Sequence, residues 1–494
     1  MEMVADRKIG TRGSLGALGT MNVGGNESST QHSAHGSQRS ENGTRDPGPG
    51  SRRHQALVVG LGASGMSALG YLQRQGCVVR ATDDRADKAP LAGEAWCPPE
   101  TAGECLDDVD TLVVSPGVPL NSPLIKAARE RGIEVLGDIE LFARALDRVP
   151  GSGSRVPEVI AVTGTNGKST VASLVAAMAA RAGRRVAAGA NLGTPALDLI
   201  APDVEVYVLE LSSFQLETTI SLVPAAAVVL NVSADHLDRY PGLEVYAAAK
   251  ARIYARAGIA VANRDDPVVM EMVQEMGGVV SFGLGVPAAG EYGLCKRGGE
   301  TFLCRGDETL LAAREVPLAG RHNRANVLAS WALGAALGLP DEAIREAVRA
   351  FRPLPHRLAP VGSHRGVRYL DDSKATNVSA ACAALAGLAG PLVVIAGGEG
   401  KGQDFAAFAD CLAARAHAVV LIGVAANAIE AAIAGRVLVV RANSMDAAVE
   451  AAAVRSEPGG CVVLAPACAS FDMFRDYKAR GELFVRAVEA LNGD

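Results

Sequence analysis

The sequence predicts an α/β protein of three tandem domains, and three observations carry that prediction. From residue 55 onward, short apolar segments alternate with helical stretches, the pattern of βαβ units stacked into mainly parallel sheets. Two of the apolar segments run into glycine-rich turns that open a helix, at residues 60–65 and 164–168. A Pro/Gly/Ser-rich stretch at 149–157 and the prolines at 353, 355 and 360 interrupt the series twice. The length of 494 residues agrees, since roughly 150 residues per domain allows two to four.

Residues 1–53 stand outside the series. They are rich in Gly, Ser, Asn, Thr, His and Arg, and cannot bury enough apolar surface to offset their ordering entropy. They read as a disordered extension, without the apolar run of a signal peptide. In the first domain (54–150), strands are expected at Ala56–Gly60, Cys77–Ala81, Thr111–Ser115 and Ile133–Leu136, with a helix over Ser64–Arg74. The central domain (151–352) has strands at Val159–Val162, Val206–Leu211 and Ala226–Leu230 and a helix over Arg324–Ala336. The last domain (353–494) has strands at Leu392–Ala396, Val419–Ile422, Val437–Val440 and Cys461–Leu464 between Ala-rich helices.

Composition excludes several classes of function. A net charge of -6 argues against a nucleic-acid binder held by bulk charge, yet leaves room for local phosphate sites. No apolar run reaches the ~18 residues that span a bilayer, so membrane insertion is not expected. The nine Cys are scattered without a Cys-x-x-Cys or a Cys/His cluster. They read as free thiols of a cytoplasmic protein, with neither a disulfide framework nor a zinc site.

Gly60-Leu-Gly62-Ala-Ser-Gly65, between a strand and a helix and followed by Asp83 at the next strand end, matches a dinucleotide-binding turn. NAD is the default ligand of such a turn, although no hydride partner follows; a nucleotide diphosphate such as UDP uses the same cradle, and a tight turn that binds nothing is the plain alternative. The segment from Val159 to Thr170 is more specific. A buried strand, the turn Gly164-Thr165-Asn166-Gly167 and the helix start Lys168-Ser169-Thr170 supply amides, a cation and hydroxyls for a triphosphate and Mg²⁺. The first Gly of the strict phosphate-loop pattern is replaced by Val162.

Acidic residues follow in order. Glu210 ends a hydrophobic strand, where parallel sheets place their sites, and Asp235-His236 follows another; both suit a divalent cation. Lys250 lies in a helical stretch and composition makes it an ordinary solvated lysine. In the last domain, three strand-end loops are dense in Ser, Thr, Lys and Asp: 371–377, 396–401 and 465–472. Together they point to one sheet edge that faces a ligand.

Thr163-Gly-Thr-Asn-Gly-Lys-Ser-Thr170 resembles the ATP loop of the Mur ligases, the amide-forming enzymes of peptidoglycan precursor synthesis. Leu209–Glu217, Asp235–Pro241, Leu354–Arg357, Asp371–Asn377 and Pro466–Asp472 resemble the D-glutamate-adding members of that family. The resemblance runs from about Ala56 to the C-terminus. It implies a Rossmann-like UDP-binding domain, a P-loop ATPase-like domain and a Rossmann-like C-terminal domain. It also implies ATP-dependent addition of D-glutamate to UDP-MurNAc-L-alanine through an acyl phosphate. A monomer is expected.

The resemblance further implies site residues. Ser64, Asp83 and Gly117 would hold the uridine nucleotide, and Asn191 would contact the same substrate. Gly164, Thr165, Asn166, Gly167, Lys168, Ser169 and Thr170 would bind ATP phosphates, Asn323 and Asn326 the adenine side, and Arg357 and Asp372 phosphate and ribose. Ser169 and Glu210 would serve one Mg²⁺, and His236 with a carbamylated Lys250 a second. Lys168, His236 and Lys250 would be catalytic. Lys374, Thr376, Lys401, Ser470 and Phe471, with Tyr477 further on, would form the D-glutamate pocket. Two other enzymes and a non-enzyme compete. A folylpolyglutamate-synthetase-like ligase would not need the first domain, and a NAD-dependent dehydrogenase leaves the phosphate loop unexplained. A nucleotide-binding regulator would not need Lys250.

Overall fold

The computed structural model describes residues 52–146, 156–191, 193–318 and 320–491. The expected extension at 1–53 lies outside the described residues except for Arg52 and Arg53, and the expected linker at 149–157 except for Val156 and Pro157.

Three sheets follow one another along the chain. The first is parallel, with β1 (Gln55–Val59), β2 (Val78–Thr82), β3 (Thr111–Val114) and β4 (Glu134–Gly137) in the order β2-β1-β3-β4. Helix α1 (Ala63–Arg74) leaves the end of β1. Register sets Val59 beside both Thr82 and Val114, so Gly60, Asp83 and Ser115 emerge at one edge.

The second sheet has nine strands: β5 (Glu158–Thr163), β6 (Val186–Ala190), β7 (Val206–Glu210), β8 (Ala226–Val229), β9 (Ile259–Asn263), β10 (Val280–Phe282), β11 (Tyr292–Arg297), β12 (Glu300–Arg305) and β13 (Glu308–Ala312). Their order is β13-β12-β11-β10-β9-β8-β5-β7-β6. β7 and β8 are buried along their length and flank β5, as unbroken Val/Ala/Leu runs require in a sheet covered on both faces. Helix α2 (Lys168–Arg181) follows β5 and shares a core with α4 (Arg321–Ala336), where Trp331 is fully buried; α3 (Leu243–Ala251) lies between them in sequence. The antiparallel pairs β11–β12 and β12–β13 were not expected from the sequence.

The third sheet orders β14 (Ala359–His364), β15 (Val367–Asp371), β19 (Cys461–Leu464), β16 (Leu392–Gly397), β17 (Ala416–Ile422) and β18 (Leu438–Arg441), with only β14 antiparallel to its neighbour. Leu464 is registered with Asp371 on one side and Ile395 on the other. The loops after β15, β16 and β19 therefore leave the sheet side by side. α5 (Val378–Ala386) follows the first of them, and α6 (Tyr477–Ala490) is the last described helix.

One expectation is corrected. Cys97 and Cys105 are joined by a disulfide, and the remaining seven cysteines are free. The Cys97 amide bonds the carbonyl of Ala81, and a short helical turn at Glu104–Asp108 brings Cys105 back to it. Their spacing of eight matches no motif that sequence reading recognises.

Candidate active site

Three adjoining cavities cross the molecule. The first, of about 910 Å³, is lined by the Gly60–Gly62 turn, Ser64, Asp83, Ser115, Gly117 and Asn191. The second, of about 340 Å³, takes in Lys168, Ser169, Glu210, His236, Lys250, Lys374, Thr376, Lys401, Ser470, Phe471 and Tyr477. The third, of about 320 Å³, holds Asn323, Asn326 and Asp372. Pro116 and Asn191 line both the first and the second, and Asn166, Gly167, Arg357 and Lys374 both the second and the third.

In the first cavity the turn is built by close approach. A Cβ on Gly65 would stand 1.8 Å from the carbonyl oxygen of Gly60, so no other residue fits there. Asp83 Oδ2 accepts from the amide of Leu61 at 2.7 Å, and Oδ1 from Arg85 Nε at 3.0 Å. These bonds outweigh burial and bring its pKa down to about 2. The carboxylate thus fixes the turn as well as facing the cavity.

Arg239 joins this cavity to the central domain. Its guanidinium donates to the carbonyls of Pro116 (3.2 Å), Gly117 (3.0 Å) and Val118 (2.8 Å), and it lies 4.3 Å over the ring of Phe214. Phe214 meets the ring of His236 edge-on at 4.9 Å. Arg239 was not singled out from the sequence, although it sits in the quoted Asp235–Pro241 segment.

The second cavity is ruled by charge. Lys168 Nζ folds back onto the carbonyls of Gly164 (2.9 Å) and Thr165 (3.0 Å), and burial lowers its pKa. Asn231 braces the loop by accepting from the amide of Asn166 at 2.9 Å. Register sets Glu210 against Val162 and Ala190, at the mouth of the loop. Its Oε1 accepts from Asn191 at 2.7 Å, while Oε2 is buried without a hydrogen-bond partner. A buried carboxylate oxygen left unpaired is the kind of group a cation satisfies.

Lys250 departs from the composition-based expectation of a solvated lysine. It is 1% exposed, donates to the carbonyl of Gly164 at 3.0 Å and lies 4.4 Å over the Tyr246 ring. Burial and then the charge of Lys168 pull its pKa well below the ordinary lysine value. Residue spacing gave no sign of this, because burial of a helix lysine is decided by what packs over the helix. His236 holds a left-handed backbone (φ +55°), which is costly for a non-glycine residue, and burial lowers its pKa. Among the described residues, no three His, Cys, Asp or Glu side chains gather as a ready metal ligand group.

C-terminal residues close over the phosphate loop. Arg357 Nη2 donates to Ser169 Oγ at 2.7 Å, and Asn377 Nδ2 to Asn166 Oδ1 (3.2 Å) and Asp235 Oδ2 (3.1 Å). Lys401 lies 3.9 Å from Asp235 Oδ1. Lys374, over the Tyr477 ring at 4.0 Å, has its pKa lowered to about 8 by burial and by Arg357 and Lys168. Phe471 reaches the cavity rim and is 67% exposed. Asp235, expected from the sequence to suit a cation, here meets Asn377, whose role sequence reasoning missed. In the third cavity, Asn326 donates to Asn323 Oδ1 at 3.1 Å, and burial raises Asp372 to about 7.

This geometry can align a triphosphate with a carboxylate and a second, dicarboxylic, ligand. Three family descriptions match in tandem: the Mur ligase MurD-like N-terminal domain at 54–137, the Mur ligase middle domain at 162–334 and the Mur ligase glutamate ligase domain at 356–468. The UDP-N-acetylmuramoylalanine–D-glutamate ligase of Nitrosococcus oceani is 49% identical over 88% of this chain and 96% of its own. That of Pseudomonas savastanoi pv. phaseolicola is 46% identical over 88% of this chain and 98% of its own. The UDP-N-acetylmuramate–alanine ligase MurC of Thermotoga maritima shares the fold, with a TM-score of 0.58 at 20% identity over 88% of this chain and 99% of its own. On this identity and these tandem matches, the chain belongs to the Mur ligase family.

Proposed function

We infer that this protein is an ATP-dependent ligase that joins D-glutamate to UDP-MurNAc-L-alanine in peptidoglycan precursor synthesis. The observation that carries the inference is the row of three adjoining cavities, one suited to each end of the reaction and one between them. The relatives at 44–49% identity carry the same activity in their names.

The uridine nucleotide would lie over the Gly60–Gly65 turn beside Ser64, Asp83 and Gly117, with its alanyl carboxylate passing Asn191 toward Lys168. ATP would lie with its adenine by Asn323 and Asn326, its ribose by Asp372 and its phosphates along Gly164–Thr170 and Arg357. The carboxylate attacks the γ-phosphate, releasing ADP and leaving an acyl phosphate. D-glutamate, held by Lys374, Thr376, Lys401, Ser470 and the Phe471–Tyr477 rim, attacks the acyl carbon as a free amine and expels phosphate. Two anions must meet in the first step, so placed cations decide the rate. Lys168 can swing from the two carbonyls it now touches to the transferring phosphate. His236, kept neutral by burial, can orient the carboxylate.

The family works with ATP and Mg²⁺. Ser169 with Glu210, and His236 with a carbamylated Lys250, would hold two Mg²⁺ ions, which neutralise phosphate charge when bound. The unpaired Glu210 Oε2 supports a cation there. The depressed pKa of Lys250 supports carbamylation, because only a neutral amine adds CO₂. No helix among the described residues is long and apolar enough to cross a membrane. We read the protein as a cytoplasmic monomer.

Phosphate release is the test, with UDP-MurNAc-L-alanine, ATP and Mg²⁺ and either D-glutamate, L-glutamate, L-lysine or meso-diaminopimelate. Turnover restricted to D-glutamate is expected, and its absence refutes the proposal.

A further inference from the structure

We propose that Arg480 is a positioning residue for the amino-acid acceptor, the hub that fixes the three strand-end loops carrying Lys374, Lys401 and Ser470 in one arrangement. The proposal rests on the reading of that pocket given above.

Arg480 lies in the first turn of α6 and is 0% exposed. Its Nε donates to Ser373 Oγ at 2.9 Å and its Nη2 to the Ser373 carbonyl at 2.8 Å. Its Nη1 donates to the carbonyls of Cys468 (3.1 Å) and Ala469 (3.2 Å). Ser373 precedes Lys374, and Ala469 precedes Ser470. The third loop is reached through Gly398. A Cβ there would stand 3.2 Å from Arg480 Nη1 and 2.2 Å from the carbonyl oxygen of Ala469, at a backbone φ of +132°. The next residue, Glu399, exchanges two backbone hydrogen bonds with Ala469, both of 2.9 Å. Ser373 Oγ in turn donates to the carbonyl of Tyr477 at 2.8 Å, so the aromatic rim hangs from the same centre.

Every one of these acceptors is neutral, one hydroxyl and three carbonyls. A buried charge without a carboxylate partner is an expensive way to fill space, and an apolar side chain of similar volume would pack at lower cost. What the guanidinium adds is a rigid fork with donors in fixed directions. It also adds a positive charge, offset only in part by Asp371 and Asp472, beneath a pocket meant for a dicarboxylate. Burial brings its pKa only to about 10, so it stays charged at neutral pH. It does not touch the second cavity and acts through Ser373, Ala469 and Gly398.

Steady-state kinetics of Arg480→Lys and Arg480→Met test the assignment. The first keeps the charge and loses the fork, and the second loses both. The KM for D-glutamate should rise at least about tenfold in Arg480→Lys and further in Arg480→Met, with the KM values for ATP and UDP-MurNAc-L-alanine within about twofold of wild type. An unchanged D-glutamate KM, or all three KM values rising together, overturns the proposal. Should the Arg480 variants fail to fold, Ser373→Ala decides. It cuts the link between Arg480 and the Tyr477 carbonyl and should raise the D-glutamate KM alone by about threefold or more; no rise overturns the proposal. Wild type assayed in parallel separates the two levels. No turnover of D-glutamate by wild type sinks the functional reading, whereas normal wild-type turnover with unaltered variants sinks only the role of Arg480.

Discussion

Replacing Lys374 by Met should make the protein more stable at neutral pH and poorer at using its amino acid. Burial first, then Arg357, Lys168 and Lys401, pull the Lys374 pKa from 10.5 to about 8, against the attraction of Glu210. In the unfolded chain the ordinary value returns, so the folded state binds this proton more weakly. Below pH 8 the charge therefore costs the fold its full amount, about 3 kcal/mol for a displacement of that size. Between pH 8 and 10.5 the cost fades, and above 10.5 it is gone. Met fills a similar volume and keeps contact with the Tyr477 ring. Thermal melting at pH 7 and pH 10 is the assay. The variant should melt higher at pH 7, and most of the gap should close by pH 10. Its KM for D-glutamate should rise about 10–100-fold, since a charge-assisted hydrogen bond contributes about 1.5–3 kcal/mol. A variant no more stable at pH 7, or an advantage that does not change with pH, refutes the reasoning.

Three other outcomes follow from the site. Lys250→Ala should be nearly inactive and recover in part with added short carboxylic acids that stand in for a carbamate; full activity without them contradicts the carbamylation. Arg239→Met releases the Pro116–Val118 carbonyls and should raise the KM for the uridine nucleotide severalfold while leaving that for ATP alone, a split read by initial rates. Asp372→Asn should raise the melting temperature at pH 8 and not at pH 4. Burial lifts that carboxyl from 3.8 to about 7, so its ionisation destabilises the fold progressively as pH rises through that window. Equal shifts at both pH values would show that some other contact is responsible.

Most of the parallel strands were legible because they are apolar runs ending in a turn, whereas β6, β9 and β10 were missed. The ends of the legible ones named many of the cavity linings: Gly60, Gly62, Ser64, Thr165–Ser169, Glu210, His236, Lys374, Thr376 and Ser470. The meander β11–β13 was missed although Gly298-Gly299, both at positive φ, joins Arg297 to Glu300 as a two-residue hairpin. Its strands alternate weakly, with Lys296 and Arg297 beside Leu294 and Cys295, and a short half-exposed strand gives little periodic signal. The burial of Lys250 and Arg480 could not be read from local pattern. Both sit on helices at spacings that suit a solvated cation, and only packing from distant segments covers them. The Cys97–Cys105 pair failed for the same reason: proximity came from a turn, not from a motif.

Charge is what the site spends its architecture on. The protein carries -6 overall, yet Lys168, Lys250, Arg357, Lys374 and Lys401 all face one cavity, opposed there by Glu210, Asp235 and Asp476. The cations depress one another: Lys168 lowers Lys250, and Arg357, Lys168 and Lys401 lower Lys374. Such a cluster is unfavourable until anions enter, so substrate anions relieve a repulsion already present in the fold as well as forming new hydrogen bonds. Asp235 fills part of that need in their absence, accepting from Asn377 at 3.1 Å and lying 3.9 Å from Lys401 across the junction of the central and C-terminal domains. In the proposed acceptor pocket, a dicarboxylate arriving at Lys401 would compete with Asp235 for the same charge. Entry of the acceptor there would act on the same contacts that hold the C-terminal domain over the phosphate loop, so that binding and closure would draw on one set of cations.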